Sequence, residues 1–524
     1  MYRHNHRQLE FEDFALPFGG KLRSDNRWVK MAKFIPWIDF EKAYRKNFNN
    51  PYHGPPAKSV RVALGALIIK ERLGTSDEET VEQIRENPYL QYFLGFKQYQ
   101  YEPPFDPSLF VYFRKRFGNE IMSKINETIA CKALEENDQR NGNNDRDDDS
   151  GGGASPNRGK LLVDATCTPA DITFPTDLKL LNKAREKSEE IIDDLHAPLK
   201  GKQEKPRTYR KKARKEFLSA AKSKRLSKGK KRKAIRKQLG YLKRNLKSIE
   251  KLSQLTPVSI LTRLRYKNLL VIHEVYRQQK WLYDHRETRI ADRIVSVSQP
   301  HVRPIKRGKA GAATEFGAKI SVSLVDGYSF VDHISWDAYN ECGDLIGQIE
   351  AYRDRFGFYP ESAHADQIYR TRENRRFCKK HGIRLSGPAL GRPPADIEKQ
   401  NAIKQQTRQD ELDRIPIEGK FGQGKRRFGL AKIMSKLDIT SEAAILVAFV
   451  VMNLVKWLKE SFFFFFSLPQ RQSTSCISAH SLFISVVRRG KRTIRILALM
   501  RAPFSQSINI LAWPVTRTFS LQND

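Results

Sequence analysis

Apolar positions in residues 58 to 73 recur at helical spacing, with Val60, Leu64, Leu67 and Ile68 on one face, and Ser76 with Glu79 reads as a capping box for a second helix beyond Gly74. Asn87-Pro88 marks a third helix start, because proline at the first helical position gives up an N–H that would have no partner there. Asp106-Pro107 opens a fourth, whose Leu109, Phe110, Phe113 and Phe117 form an apolar stripe opposite Arg114, Lys115 and Arg116. The pattern predicts an all-α module over residues 1–134 containing a helix-turn-helix-like element. Its basic face would read DNA, or would simply be solvated.

The periodicity then stops. From Glu135 to Gly159 the chain is mostly Asn, Asp, Gly and Ser, with nothing to bury, which predicts a flexible linker. LLVDATCTPADI follows as a buried strand, with Leu161, Leu162 and Val163 leading to Asp164 near its end. Residues 176–309 are helical in pattern from the Thr176-Asp177 cap onward, with Leu178, Leu181, Ile191, Ile192 and Leu195 spaced for burial. Between Lys200 and Arg244 the same stretch is dense in Lys and Arg, which predicts nonspecific phosphate contact rather than sequence reading. At 318 to 335 strict alternation surrounds Asp326-Gly327, the strongest short hairpin signal in the chain. Leu345, Ile346, Ile349 and Tyr352 give a helix ending near Gly357, ESAHAD leads to Asp366, another helix covers Asn374 to Lys380, and IRLSGP reads as a short strand. This is a mixed α/β order over 160–175 and 310–460, interrupted by the helical insertion. Setting the Asp164 strand beside the Asp366 strand brings both acids to one edge of a sheet, and a helix after Ile415 would deliver Glu418 there.

Length and charge narrow the class. A chain of 524 residues exceeds one compact core, and Lys+Arg 95 against Asp+Glu 59, a net charge of +36, calls for a polyanionic partner, nucleic acid before membrane. Cys131, Cys167, Cys342, Cys378 and Cys476 form no C-x-x-C pair, which argues against a zinc knuckle or a secreted disulfide framework and fits a reducing cytoplasm. The first thirty residues lack the apolar core of a signal peptide. No G-x-x-x-x-G-K-[ST] loop is present, so NTP hydrolysis is not indicated.

Three scattered acids carry the candidate chemistry. A hard divalent ion binds through a few carboxylates plus substrate phosphates, and two such ions activate a nucleophile and stabilise a leaving oxygen in phosphodiester chemistry. In RIPIEGKFGQGKRRFGL, Arg414 stands one helical turn before Glu418 and Lys425 about two turns after it, so carboxylate and cations share a face if the segment is helical. An ordinary salt-bridged surface helix has the same spacing, and Gly419, Gly422 and Gly424 predict helix only when packed. Trp336 has two readings, a base-stacking ring and a core residue, while His333 and His364 lack metal-ligand spacing.

LLVDATCTPADI, the HAD segment ending in Asp366, and R-x3-E-x6-K at Arg414, Glu418 and Lys425 together resemble the DDE transposases of bacterial insertion sequences, in the branch with a Y-R-E-K motif. The resemblance covers roughly residues 30 to 460. It implies an RNase H-like mixed sheet with flanking helices. It further implies Asp164, Asp366 and Glu418 as the triad holding Mg²⁺, with Mn²⁺ as a substitute, and Arg414 and Lys425 on phosphates; Arg426, Arg427, Arg114 and Lys115 are further candidates for DNA contact. The partners implied are double-stranded DNA, both terminal inverted repeats and target, and other copies of the chain on that DNA, in the cytoplasm at the nucleoid and away from membrane. Where the motif has tyrosine this chain has Glu411. A noncatalytic DNA-binding protein derived from such an enzyme is the alternative.

Ala443 to Val455 is an apolar run shorter than the ~20 residues a bilayer span needs, so a core helix is expected. After it come Phe462 to Phe466 and a stretch with no sustained period, which predicts that 461–524 is a poorly structured tail from a shifted reading frame, or else a membrane-associated one.

Overall fold

The computed structural model describes residues 20–48, 56–140, 157–223, 225–309, 312–387 and 396–467. The chain divides into two compact units, Met1–Phe463 and Phe464–Asp524, and the first carries all the architecture discussed below. Residues 141–156 of the expected linker, and the expected tail beyond Ser467, lie outside the described residues.

The N-terminal helices are α1 (Arg27–Phe34), α2 (Trp37–Arg45), α3 (Val60–Leu73), α4 (Asp77–Glu86), α5 (Pro88–Phe93) and α6 (Leu109–Arg140). Their starts follow the caps: Ser76 Oγ accepts from Glu79 N at 3.0 Å, and Asn87 Oδ1 accepts from Tyr89 N at 2.9 Å ahead of Pro88. Helix α6 continues through a non-helical Gly118 to Arg140, so residues 135–140 are helical where the composition predicted linker. Polar residues such as Glu136 and Arg140 extend a helix at little cost when one face, here Ala133 and Leu134, is still buried.

Strand β1 (Lys160–Pro169) is followed by the insertion helices α7 (Asp177–His196), α8 (Arg210–Ala221), α9 (Lys228–Leu255) and α10 (Arg263–His285). The insertion has its own core, with Leu181, Ile191, Ile192, Leu242, Ile249, Ile272 and Val275 packed together. A buried Arg185–Glu189 ion pair of 2.5 Å lies along α7. The basic run is therefore ordered into α8 and the first half of α9, and Lys228, Lys230, Lys231, Lys233 and Arg236 stay exposed on it.

The chain then completes the sheet with β2 (Arg303–Lys309), β3 (Ala312–Val325) and β4 (Tyr328–Ser335). Helix α11 (Leu345–Phe356), β5 (Ser362–His364), α12 (Arg372–Lys380), β6 (Arg384–Leu385), α13 (Ile397–Arg427) and α14 (Asp438–Ser467) follow. Strands β4, β3 and β1 are antiparallel, while β5 and β6 continue from β1 in parallel. This is a mixed α/β sheet. The β3–β4 hairpin turns on Asp326 and Gly327, both at positive φ, as two-residue hairpins of matching twist require.

One hydrophobic core runs from α1–α6 through the sheet to α14, so a boundary at residue 134 separates the chain in order but not in packing. Asn453 in α14, fully buried, ties the layers: its amide donates to Asn126 Oδ1 of α6 at 3.0 Å and to Ser329 O of β4 at 2.8 Å, and it accepts from Ser329 N at 3.0 Å. Among the described residues α14 is the one helix long and apolar enough to cross a membrane, and most of its apolar stretch is buried in the protein, as expected of a core helix.

Candidate active site

The sheet register aligns the first two acids. Parallel pairing of Leu162 with His364 ends β5, and two residues further along both chains stand Asp164 and Asp366. Asp164 was expected near its strand's end. It lies mid-strand, because β1 keeps pairing with β3 down to Pro169, yet on the β5 side it is two residues past the last pair. The sheet thus opens at Asp164 on that side only. Asp366 caps a single 3-10 turn, accepting from Gln367 N at 2.7 Å.

The third acid arrives on α13, which is helical through Arg427 despite Pro416 and three glycines. Packing supplies what propensity withholds, since Ile417, Lys420, Phe421 and Gly424 are buried. At Gly424 a Cβ would lie 2.7 Å from Leu430 Cδ1 in the loop after α13 and 3.3 Å from Met452 Sδ on α14, so a larger residue there would push these side chains aside.

Arg414 joins the three motifs. Its guanidinium is 3.4 Å from Asp366 Oδ1 and 3.5 Å from Glu418 Oε1, with its Nε buried and without a hydrogen-bond partner. Burial pushes the Asp164 carboxyl up to about 6, with Asp366 and Glu341 adding to the rise and Arg414 and the Ala165 N–H opposing it. Asp164, Asp366, Glu418 and Arg414 therefore occupy one neighbourhood. Among the described residues no three His, Cys, Asp or Glu side chains close into a group able to hold a metal ion. Asp366 and Glu418 have side chains 57% and 64% exposed and turn to the guanidinium between them rather than to each other. The donor set is nonetheless all carboxylate oxygen, which suits a hard divalent ion, and a poorly solvated acid beside a second acid is a site that a cation relieves.

Residues outside the motifs hold α13 in place. Arg384 Nη1 of β6 donates to both carboxylate oxygens of Asp410 at 2.7 and 3.0 Å, Gly387 N donates to Asp410 at 3.2 Å, and Lys160 at the start of β1 pairs with Asp413 at 2.7 Å. His364, fully buried, bonds Ser362 Oγ at 3.0 Å and lies 3.8 Å from Asp410. Asp410, Arg414 and Glu418 follow at four-residue intervals on one face, a spacing visible in the sequence. The long-range partners Arg384 and Lys160 left no local signal. Because Asp410 fixes the helix that carries Arg414 and Glu418, Asp410→Asn should cut strand cleavage by about 100-fold, the scale of a misplacement near 1 Å. Retained DNA affinity and full cleavage in that variant would show that the pair does not position the site.

The remaining expected residues separate. Arg114 turns inward onto Asp77 through two bonds of 3.2 and 2.8 Å and is largely buried, so it braces α4 against α6. Lys115 is exposed beside Tyr112. Arg426 and Arg427 are exposed at the end of α13 and Lys425 is half-buried there. Trp336 donates to Glu442 at 2.9 Å and packs edge-on against His301, the core reading of that residue. His333 bonds Asp344 at 3.2 Å. Tyr369, not singled out by the sequence, is fully buried with its hydroxyl unpartnered, and the charges of Glu341 and Asp164 bear on it.

A helical module is thus packed on a mixed sheet with acids at its open edge. Residues 363–455 match the family model described as Transposase DDE domain, and residues 17–116 match Transposase domain (DUF772). The chain is also 34% identical, over 156 residues, to an uncharacterised protein named ORF8 in the nfe locus of Rhizobium meliloti, a match covering 30% of this chain and 68% of that protein. No solved structure matches. The chain belongs to an insertion-sequence transposase family. Transposases bind DNA, and DDE domains generally use divalent metals.

Proposed function

We propose that this protein is a catalytic DDE transposase of the Y-R-E-K branch, which cleaves DNA at the terminal inverted repeats of its element and joins the freed 3′-hydroxyl to target DNA. The observation that carries the reading is Arg414, which links Asp366 and Glu418 beside Asp164 and so draws three motifs, far apart in sequence, to one sheet edge. The sheet order β2-β3-β1-β5-β6, with β4 also pairing β3, puts antiparallel strands on one side of β1 and parallel strands on the other, which supports an RNase H-like catalytic domain.

Asp164, Asp366 and Glu418 would hold the ions, Mg²⁺ by preference with Mn²⁺ as substitute. Bound there, two divalent ions supply an activated nucleophile and a stabilised leaving oxygen. The chain's own part is placement. Asp164 stands in β1 and Asp366 just beyond the end of β5, and α13 presents Glu418, with Arg414 ready to exchange carboxylate partners for a phosphate oxygen in a charge-assisted bond. Lys425, two turns further on, extends the phosphate track along the same helix. Glu411 replaces the motif's tyrosine, and buried Tyr369 is the aromatic hydroxyl that stands near Asp164 in its place.

The open arrangement of the acids favours a second reading, a noncatalytic DNA-binding derivative. Duplex DNA carrying the element's ends, incubated with the full chain and Mg²⁺ or Mn²⁺, separates the two. Cleavage at the repeat boundary supports the enzyme, binding without cleavage in either metal supports the derivative, and absence of binding removes both.

The insertion should add affinity without sequence preference. Neutralising Lys228, Lys230, Lys231, Lys233 and Arg236 to Gln should flatten the salt dependence of binding by about 0.9 per lost phosphate contact, while discrimination between end and random DNA survives. An unchanged slope would leave α8 and α9 as structural helices only.

A further inference from the structure

We infer that the outer face of α10 is where two copies of this chain pair in the absence of DNA, the two helices running antiparallel about a two-fold axis between Val275 and Tyr276. This pairing goes beyond the reaction proposed above and does not depend on it.

Helix α10 buries one side, with Leu269, Ile272 and Val275 in the insertion's core. Its other side bears Lys267, Leu270, Glu274, Arg277, Trp281 and Asp284, spaced alternately by three and four residues. That spacing is the seam along which two helices pack knobs into holes. Large apolar groups stand in solvent on it, Leu270 56% and Trp281 38% exposed, and a shallow groove of about 650 Å³ runs along them. The Trp281 ring is stacked on His285 at 4.5 Å, which presents it as a fixed surface. From Lys267 to Asp284 the row is ~26 Å long at 1.5 Å per residue. A helix pair that short buries less than a permanent dimer does, so the expected dimer is reversible, with a Kd on the order of tens of micromolar.

The charges in the row decide what packs on it. Lys267 and Arg277 are balanced by Glu274 and Asp284, so in a chain of net charge +36 this row offers a phosphate backbone no net attraction. In parallel helices each residue would meet its own copy, setting Glu274 on the partner's Glu274 and Arg277 on the partner's Arg277. In the antiparallel pair Lys267 faces the partner's Asp284, Leu270 faces the partner's Trp281, and Glu274 faces the partner's Arg277. The two-fold symmetry makes each of these contacts twice. Sliding the partner by one heptad puts Glu274 against the partner's Asp284 in one direction, and Lys267 against the partner's Arg277 in the other. Charge therefore selects one orientation and one register. Within one chain Arg277 already pairs with Glu274 at 2.6 Å, so at the axis the two copies close four charges of alternating sign. Lys280 beside the row pairs with Asp284, and a carboxylate accepts at both oxygens, so the partner's Lys267 adds to that pair.

Sedimentation velocity of the DNA-free full chain reads the association, with Glu274→Arg and Arg277→Glu as variants on the outer face. Wild type should dimerise. Each variant alone sets like charges across the axis and should weaken the dimer about tenfold or more, with a melting temperature within about 2 °C of wild type. Mixed in equal amounts, the two variants should pair with each other, because one copy then brings two positive charges to the axis and the other two negative ones. A wild-type chain that stays monomeric up to ~100 µM would overturn the pairing. So would association that neither variant weakens, or a mixture that associates no better than the separate variants. Variants that sediment as the wild type does but lose affinity for duplex DNA would make α10 a DNA surface and also overturn it. A wild-type dimer that binds end DNA without cleaving it would count against the catalytic reading and leave this pairing standing.

Discussion

Asp164→Asn, Asp366→Asn and Glu418→Gln should each reduce strand cleavage to background while leaving affinity for end DNA almost unchanged. Each exchange keeps volume and removes one negative charge, so electrostatic attraction to phosphate can only rise, while a neutral amide is a poor ligand for a hard divalent ion. The structure makes the three unequal in their side effects. Asp164 is the half-buried one, raised to about 6 mainly by burial, so Asp164→Asn removes a carboxylate that is costly to ionise there. It should not lower the melting temperature. Asp366→Asn keeps its capping oxygen for Gln367 N, and Glu418→Gln frees Arg414 from one partner. The same shift sets a pH dependence. Asp164 must be ionised to bind a cation, so wild-type cleavage at fixed, subsaturating Mg²⁺ should fall as pH drops through about 6 and recover with more metal. Full cleavage by any one variant would take that residue out of the site.

Much of the sheet edge was legible because its signals are local. Asp326-Gly327 specifies a hairpin by backbone sterics, Thr176 and Asn87 announce helices by their caps, and the apolar run before Asp164 reads as a strand. Residues 135–140 misled, since composition reports what a segment lacks and not the face that a neighbouring layer buries. The packing of α1–α6 onto the sheet was equally hidden: Asn126, Asn453 and Ser329 are unremarkable polar residues until three elements meet at them. Within the site, the acids stood out by motif. The charges that hold α13, Arg384 and Lys160, are more than twenty residues from their partners, and Arg114 looked like a surface cation because helical spacing cannot show that Asp77 waits beneath it.

Lys420→Met should make stability markedly less dependent on pH, in a direction the burial of Lys420 dictates. Two residues after Glu418, this lysine points into the core, donating to Gly327 O at 2.9 Å and to Asn453 Oδ1 at 3.4 Å. Burial, with Lys456 nearby, brings its ammonium down from 10.5 to about 7, and Glu460 opposes the shift. Between about pH 7 and 10 the unfolded chain then binds the proton that the folded chain has released, so this group makes stability rise with pH across that window; below pH 7 both states carry the charge and its full desolvation cost remains. Methionine keeps the apolar stem and has no charge to bury. Relative to wild type, Lys420→Met should therefore be favoured most at pH 6. By pH 9 that advantage should shrink by roughly 2–3 kcal/mol, at about 1.4 kcal/mol for each pH unit above 7, and the lost bonds to Gly327 and Asn453 then count against the variant. Urea unfolding of both proteins at pH 6, 7.5 and 9 measures the difference. A gap that does not change with pH would mean that Lys420 keeps its proton throughout the range, and that the hairpin turn and α14 hold a charged lysine between them.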